Sequence, residues 1–370
     1  MTLRILHCHS TFALGGKEAR TVALMNAFAG AARHTVLSAV PGALDARNAI
    51  DPDIAVSFPD DAPSLTGQPS VRRYQQIAEY LRGFDLILTY NWGAMDAVMA
   101  RRMFARSLPP LVHHEDGFNA DETVRLKTKR TLMRRLALPA AHSVVVPSRT
   151  LERIARETWK QPERRIKRIP NGIRTELYAA KPKRDAIPAL KRKPGEIVIG
   201  TVAGLRGVKN IPRLVRAALS IPMTRLVVVG EGPERTAILA AADAMGARDR
   251  LVLAGFIADP HRYIGLFDIF ALSSDSEQFP IALVEAMAAG VPIATTHVGD
   301  VVAILPPEQR PFIVARDDYA LAGALRQLVA DQALRQQLGQ LNRQLATASY
   351  DEQAMIEAYR TLYWNVASAG

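Results

Sequence analysis

Ser273-Ser-Asp-Ser-Glu-Gln-Phe-Pro-Ile-Ala-Leu-Val-Glu-Ala-Met-Ala-Ala-Gly-Val-Pro-Ile-Ala-Thr-Thr-His-Val-Gly-Asp300 is the stretch whose reading decides the fold. The apolar run Ile269–Leu272 just before it has the character of a buried strand. A polar loop follows, and Pro280 suits the first turn of a helix, where its missing N–H would have no partner. Ile281, Leu283, Val284, Met287 and Ala288 then recur at helical spacing, Gly290 stops the helix, and Pro292 lies just beyond. A polar loop that feeds a helix N-terminus offers free backbone N–H groups and the positive end of the helix dipole, a setting that favours phosphate.

Two acids frame this loop, Glu277 within it and Glu285 about one turn into the helix. A carboxylate accepts two hydrogen bonds at once and so suits paired hydroxyls, such as those of a ribose or a hexose. The same two acids could equally be a loop carboxylate and a first-turn carboxylate complementing the dipole.

Glu277 to Glu285, followed by Ala286-Met287-Ala288-Ala289-Gly290-Val291-Pro292, resembles the E-x7-E signature of the retaining GT-B glycosyltransferases of family 4, the glycosyl transferases group 1. The resemblance runs from Leu3 to about Val366 and implies an α/β fold of two Rossmann-like domains facing each other across a cleft. It implies that Glu285 binds the ribose of a nucleotide-sugar and that Glu277 lies by the donor sugar. Many members have Glu-Gly-Phe-Gly where this chain has Glu277-Gln278-Phe279-Pro280. Gln278, Phe279, Pro280 and Ile281 are expected to line the donor site.

Length and charge frame this reading. The chain has 370 residues, room for two domains with their own cores. No run approaches the roughly 20 apolar residues of a membrane helix, and no apolar stretch at the N-terminus is long enough for a signal peptide. Cys8 is the single cysteine, so no intramolecular disulfide can form. These features lead us to expect a cytoplasmic protein, with any membrane contact peripheral, at the inner face of the cell membrane. Residues 1–170 hold 25 Lys/Arg against 16 Asp/Glu, whereas the rest holds 22 against 20. The excess positive charge thus lies in the first half, which points to an acidic ligand or surface there.

In chain order, Leu3–His9 reads as a buried strand, then a loop with Gly15-Gly16, then a helical pattern from Glu18. A glycine pair between strand and helix lets backbone approach a phosphate, or simply makes a tight turn. In the family this pair faces the donor diphosphate. Further strands are expected at His34–Val40, Ile54–Phe58, Phe84–Tyr90, Pro110–His114 and His142–Ser148, with helices between several of them. That alternation predicts a mostly parallel sheet with ligands beyond the carboxyl ends of its strands.

At one such end lies His113-His114-Glu115-Asp116-Gly117. A metal site is not expected, because no second ligand cluster at suitable spacing accompanies it. Asp121 is a candidate helix cap. By the resemblance, Asp116 stands where relatives often carry His, next to the sugar and the acceptor, and could orient or deprotonate the acceptor hydroxyl; His114 lies beside it on the acceptor side. From Arg125 to Arg135 come six basic residues and no acid: Arg125, Lys127, Lys129, Arg130, Arg134 and Arg135. Leu132, Met133 and Leu136 form an apolar stripe among them. This is either a basic amphipathic helix for anionic lipid or a lipid-linked acceptor, or a solvated helix packing its leucines on the sheet. Nucleic acid is not expected, since no aromatics interleave the charges.

Pro170-Asn171-Gly172 is a strong turn signal and the expected crossing between domains. The expected division is 1–170 for the acceptor domain, 171–349 for the donor domain, and a last helix, about 350–366, rejoining the first. In the second half, strands are expected at Ile197–Ala203, Leu226–Val229 and Leu251–Ala254. Arg206 and Lys209 follow the first of these, beside a helix start, where two cations would stabilise a departing diphosphate. Family members carry an Arg at the position of Gly204, so Arg206 is displaced by two. Gly255-Phe256-Ile257 falls where relatives hold the nucleobase.

The function expected is retaining, metal-independent transfer of a sugar from a nucleotide-sugar to a glycan or lipid-linked acceptor in cell-envelope or polysaccharide synthesis. No cofactor is expected. The competing readings are a nucleotide-sugar epimerase or hydrolase on the same scaffold, and a non-catalytic membrane-surface binding protein.

Overall fold

The computed structural model describes residues 2–13, 15–105, 108–118, 122 and 126–369. The chain divides into two compact units, Met1–Asn171 with Gln353–Gly370, and Gly172–Glu352.

The first unit is a seven-stranded sheet in the order β3-β2-β1-β4-β5-β6-β7, every pair parallel. Its strands are β1 (Leu3–His9), β2 (Ala32–Ser38), β3 (Val56–Ser57), β4 (Leu86–Tyr90), β5 (Leu111–His114), β6 (Ser143–Val146) and β7 (Ile166–Arg168). The helices are α1 (Gly16–Ala27), α2 (Val71–Leu81), α3 (Met95–Met103), α4 (Thr128–Ala137) and α5 (Arg149–Glu157). Parallel strands need crossover helices, and helices on both faces bury the central strands. β4 and β5 accordingly bury every residue. One face packs Leu6, Ile87 and Leu111 under α2 and α3. The other packs Ile5, Leu88 and Val112 against Met355, Tyr359 and Tyr363 of the last helix, α12 (Glu352–Ser368).

The second unit repeats the plan with six parallel strands in the order β10-β9-β8-β11-β12-β13. They are β8 (Ile197–Val202), β9 (Thr224–Val229), β10 (Leu251–Gly255), β11 (Ile269–Leu272), β12 (Ile293–Thr296) and β13 (Ile313–Val314). Its helices are α6 (Ile211–Leu219), α7 (Arg235–Ala244), α8 (Ile281–Ala288), α9 (Val301–Ile304), α10 (Asp318–Ala330) and α11 (Gln332–Ser349). Both sheets have the strand order of a dinucleotide-binding fold, which places the switch point between the first and fourth strands of each unit. The sequence carries no signal for β7 and β13; both are short edge strands, too brief for a periodic pattern.

Two segments carry the chain from one unit to the other, and they lie side by side. Ile173 bridges Asp351 in parallel, with its N–H on Tyr350 O (2.9 Å), and Glu352 N–H returns to Ile173 O (2.9 Å). A Cβ on Gly172 would meet Asp351 O at 2.6 Å, so only glycine allows this approach.

Candidate active site

The switch point of the second unit lies between β8 and β11, and the loops after these strands are stitched together. Asp275 N–H donates to Val208 O (2.8 Å), and the Ser273 hydroxyl donates to Lys209 O (3.0 Å). Arg213 of α6 donates to Ser273 O (2.8 Å) and to Asp275 (2.6 Å), which also accepts from Asn210 (3.0 Å). This lattice fixes the position of the ion pair between Lys209 Nζ and Glu277 Oε1, 2.5 Å apart, with the Ser274 hydroxyl donating to the same oxygen at 2.7 Å.

Around the pair lies a pocket of about 170 Å3 walled by Lys209, Ser274, Glu277, Phe279, Pro280 and Ile281, with Thr201 to Ala203 from the end of β8. Pro280 caps α8 rather than standing inside its first turn, so the helix opens directly on the pocket. The first-turn N–H groups and the dipole supply positive potential there, beside the Lys209 ammonium.

Two glycine turns hold the loops in place. A Cβ on Gly299 (φ 50°) would sit 2.4 Å from Glu277 O, so the Gly299-Asp300 turn packs directly on the Glu277 backbone. Gly230 and Gly232, both at positive φ, approach Ala203 O and Leu205 O as closely, and Leu205 N–H donates to Glu231 O (2.8 Å). Arg206 projects into solvent from the loop they support. Its Nε lies 3.7 Å from the point where a Cβ on Gly204 would stand. The Arg206 side chain thus passes beside Gly204.

Glu285 sits behind the pocket wall on α8. Its side-chain partner among the described residues is Tyr178, whose hydroxyl donates to Oε1 at 3.0 Å. Burial raises the Glu285 carboxyl to about 7, and the Tyr178 bond pulls in the opposite direction. Gln278 Oε1 is buried without a hydrogen-bond partner. Gly255 ends β10, with Phe256 and Ile257 just after it, and none of the three lines the pocket; Gly255 O accepts from Gly230 N–H (2.8 Å), and Phe256 is 66% exposed.

In the first unit, Gly15 is the extended cap of α1 and Gly16 its first residue. The residues read as acceptor-facing are placed differently from the expectation. Both Asp116 oxygens are taken by the Arg20 fork, Oδ2 at 2.9 Å, and Arg20 also donates to Asn171 Oδ1 (2.8 Å). Burial pushes the Asp116 carboxyl up, but Arg20 more than offsets it, and the net shift is downward. Asp116 is thus paired on both oxygens with a buried arginine.

His114 is 1% exposed and faces the unit's interior. Its Nδ1 lies 3.2 Å from Thr89 O, which can only accept, so Nδ1 carries the proton and Nε2 accepts from the Tyr363 hydroxyl (2.8 Å). It is not a surface residue.

The basic helix is turned over. Arg134 is fully buried, its Nε 3.1 Å from Glu115 and its Nη1 3.3 Å from Glu122, with Trp92, Phe118 and Trp159 rings around the guanidinium. Arg130 is half-buried, paired with Glu122 (3.0 Å) over the Trp92 ring. These two arginines therefore leave the set read as acceptor- or membrane-facing, because two buried carboxylates require cations inside. Lys127, Lys129 and Arg135 remain at the surface with Leu132 (56% exposed) and Leu136 (54%). Neither leucine packs on the sheet. Arg125 and Asp121 lie outside the described residues.

The sequence does not single out Arg20 or Tyr178. Nothing in their spacing marks them, since each acquires its partner only through the fold.

Comparison with known proteins shows the family of the chain. The model of Glycosyltransferase Family 4 matches residues 5–177, and that of Glycosyl transferases group 1 matches 182–345. The chain belongs to the family 4 GT-B glycosyltransferases. This family 4 chain is 27% identical over 214 residues to N-acetyl-alpha-D-glucosaminyl L-malate synthase of Bacillus anthracis, covering 56% of this chain and 55% of that protein. It is 29% identical over 156 residues to the lipopolysaccharide core biosynthesis glycosyltransferase LpsD of Rhizobium meliloti, covering 42% and 46%. The chain thus spans about half the length of these curated relatives. Among solved structures, Anabaena HepE in complex with UDP superposes with a TM-score of 0.79 at 20% identity, covering 97% of this chain and 99% of HepE. Sucrose-phosphate synthase from Thermosynechococcus elongatus gives 0.78 at 22%, covering 99% and 100%. No helix among the described residues is long and apolar enough to cross a membrane.

Proposed function

We propose that the chain is a retaining glycosyltransferase that moves a sugar from a nucleotide-sugar to a hydroxyl of a glycan or lipid-linked acceptor, in cell-envelope or polysaccharide synthesis. The observation that carries this reading is the Lys209–Glu277 pair at the mouth of α8, on the wall of a pocket at the switch point of the second sheet. Lys209 there pairs with an anion already, and a diphosphate is the natural replacement. Arg206, passing beside Gly204, supplies the second cation. Together with the α8 N–H groups these charges stabilise the departing diphosphate, the work a metal ion does elsewhere. Glu285 receives the ribose hydroxyls and Glu277 the donor sugar. HepE binding UDP, and relatives that act in lipopolysaccharide core synthesis, support the donor and acceptor classes.

The outward Leu132 and Leu136, beside Lys129 and Arg135, favour docking of the first unit on an anionic membrane surface, where apolar side chains enter the headgroup layer and cations meet lipid phosphate.

A thermal-shift panel of UDP, GDP, ADP, TDP and their sugars tests the donor reading. One nucleotide series is expected to raise the melting temperature, and Glu285→Ala to abolish the shift. Transfer is expected to continue in a chelator and to give a product with the donor's anomeric configuration by NMR; an inverted product or chelator sensitivity overturns those parts.

A further inference from the structure

Tyr178 belongs to the short turn Thr175–Ala179, the first structure after the crossing into the second unit. Its ring is buried in the apolar cluster beneath α8, edge-on to His261 with centroids 6.1 Å apart. From there its hydroxyl reaches Glu285 Oε1 at 3.0 Å. A buried tyrosine hydroxyl needs a partner, and a carboxylate is the strongest acceptor available to it.

The surroundings of Glu285 give that one bond its importance. No cation is paired with its carboxylate among the described residues. Arg343, from the helix packed beside α8, spends its guanidinium on Ala288 O and Ala289 O instead. The remaining ionisable neighbours are Tyr263, which is buried and feels the Glu285 charge, His261 against the Tyr178 ring, and Arg174 near the Tyr178 hydroxyl. A carboxylate without a cation is held in place, and kept in its charged form, by whatever hydrogen bonds it receives.

We propose that Tyr178 is a positioning residue of the donor site: its hydroxyl pins Oε1 of Glu285 and leaves Oε2 to receive the paired hydroxyls of a nucleotide ribose. The inference rests on the donor-site reading for the ligand, but the Tyr178–Glu285 bond can be tested without one. Two consequences follow from it. Removing the hydroxyl makes the charged carboxylate harder to maintain, so Glu285 holds its proton to higher pH. Since hydroxyl donors bind the charged form best, ribose binding then weakens most on the acid side.

The test uses the full chain and Tyr178→Phe, which keeps the ring and its packing. Carboxyl-carbon NMR of 13C-glutamate-labelled protein, with the Glu285 signal assigned from Glu285→Gln, gives the titration midpoint in each protein. The midpoint is expected to rise in Tyr178→Phe; an unchanged midpoint overturns the hold of Tyr178 on Glu285, whatever the ligand. Calorimetric titration with UDP, GDP and ADP from pH 6 to 8.5 follows. For the nucleotide that binds, Tyr178→Phe is expected to weaken affinity about tenfold to a hundredfold near pH 7, the size of one hydrogen bond to a charged group, and less at pH 8.5. In the Glu285→Gln background the same change is expected to have no further effect. A loss of equal size in both backgrounds marks a merely structural tyrosine and overturns the proposal. If no nucleotide binds the unaltered protein, the donor-site reading fails, and ribose positioning fails with it, while the NMR midpoint still decides the bond.

Discussion

Arg134 and Glu115 meet at 3.1 Å with neither side chain exposed. Their pairing decides which way α4 faces. An arginine in the middle of a basic stretch turns inward to two carboxylates, and the leucines on either side turn out. The amphipathic pattern survives with its faces exchanged, because the interior here is a stacked guanidinium among aromatic rings rather than an aliphatic layer.

Removing that guanidinium leaves Glu115 and Glu122 buried without their principal cation. Arg134→Met is expected to destabilise the first unit by about 3–5 kcal/mol, as expected for half of a buried pair. Lys129→Ala, one turn away on the exposed face, should stay within about 0.5 kcal/mol. Denaturant unfolding of both variants checks the contrast. Equal effects would show that the buried pair has no special weight.

The outward leucines lead to a membrane experiment. The protein should sediment with phosphatidylglycerol vesicles and not with phosphatidylcholine alone, and binding should fall as salt rises. Leu132→Ser with Leu136→Ser should remove most of the binding while leaving nucleotide affinity unchanged. Binding indifferent to lipid charge and to these substitutions contradicts docking through α4.

Lys209→Ala takes away the ammonium at the pocket and should lower kcat/KM about 100- to 1000-fold, the range seen when a preorganised transition-state stabiliser is removed. Arg206→Ala should also lower it, though less, since its guanidinium is exposed. Steady-state kinetics on the donor identified by thermal shift measures both, and wild-type activity in Lys209→Ala rejects its role.

Gly299→Ala tests how closely the donor loop is packed. The added methyl meets Glu277 O at 2.4 Å from a backbone at φ 50°. The Glu277 loop must move, so donor affinity should fall along with the melting temperature. An unaltered affinity would mean that the loop does not need this turn.

Acid should unfold the first unit early. Burial first, and then the neighbouring imidazoles for His7 and Lys17 for His9, hold these two well below the usual histidine range; burial lowers His34 to about 4, and burial with Arg20 lowers His114 to about 3. These histidines are neutral when folded and take up protons when unfolded. Their stabilising contribution is therefore complete above about pH 6.5 and is lost as pH falls toward 4 and 3. Glu285, raised to about 7, works in the opposite sense: it favours the folded state below the ordinary carboxyl range and loses that contribution as pH climbs to 7. Calorimetric melting between pH 7 and 4 should fall for the first unit; a flat profile is incompatible with four buried neutral imidazoles.

The sequence by itself determined most of the succession of strands and helices, the short edge strands β7 and β13 excepted, the parallel character of the first sheet, and the loop-to-helix junction that carries Glu277 and Glu285. Those features rest on local periodicity, turn chemistry and helix punctuation, which are written within a dozen residues. Only the tertiary structure decided which face of α4 is interior, that Asp116 is consumed by Arg20, and that Tyr178 holds Glu285. These partners stand 96 positions apart in the chain for Arg20 and Asp116, and 107 for Tyr178 and Glu285. Charge and residue type show that a buried group needs a partner. Which partner it meets depends on how sheets and helices stack, and no local pattern records that.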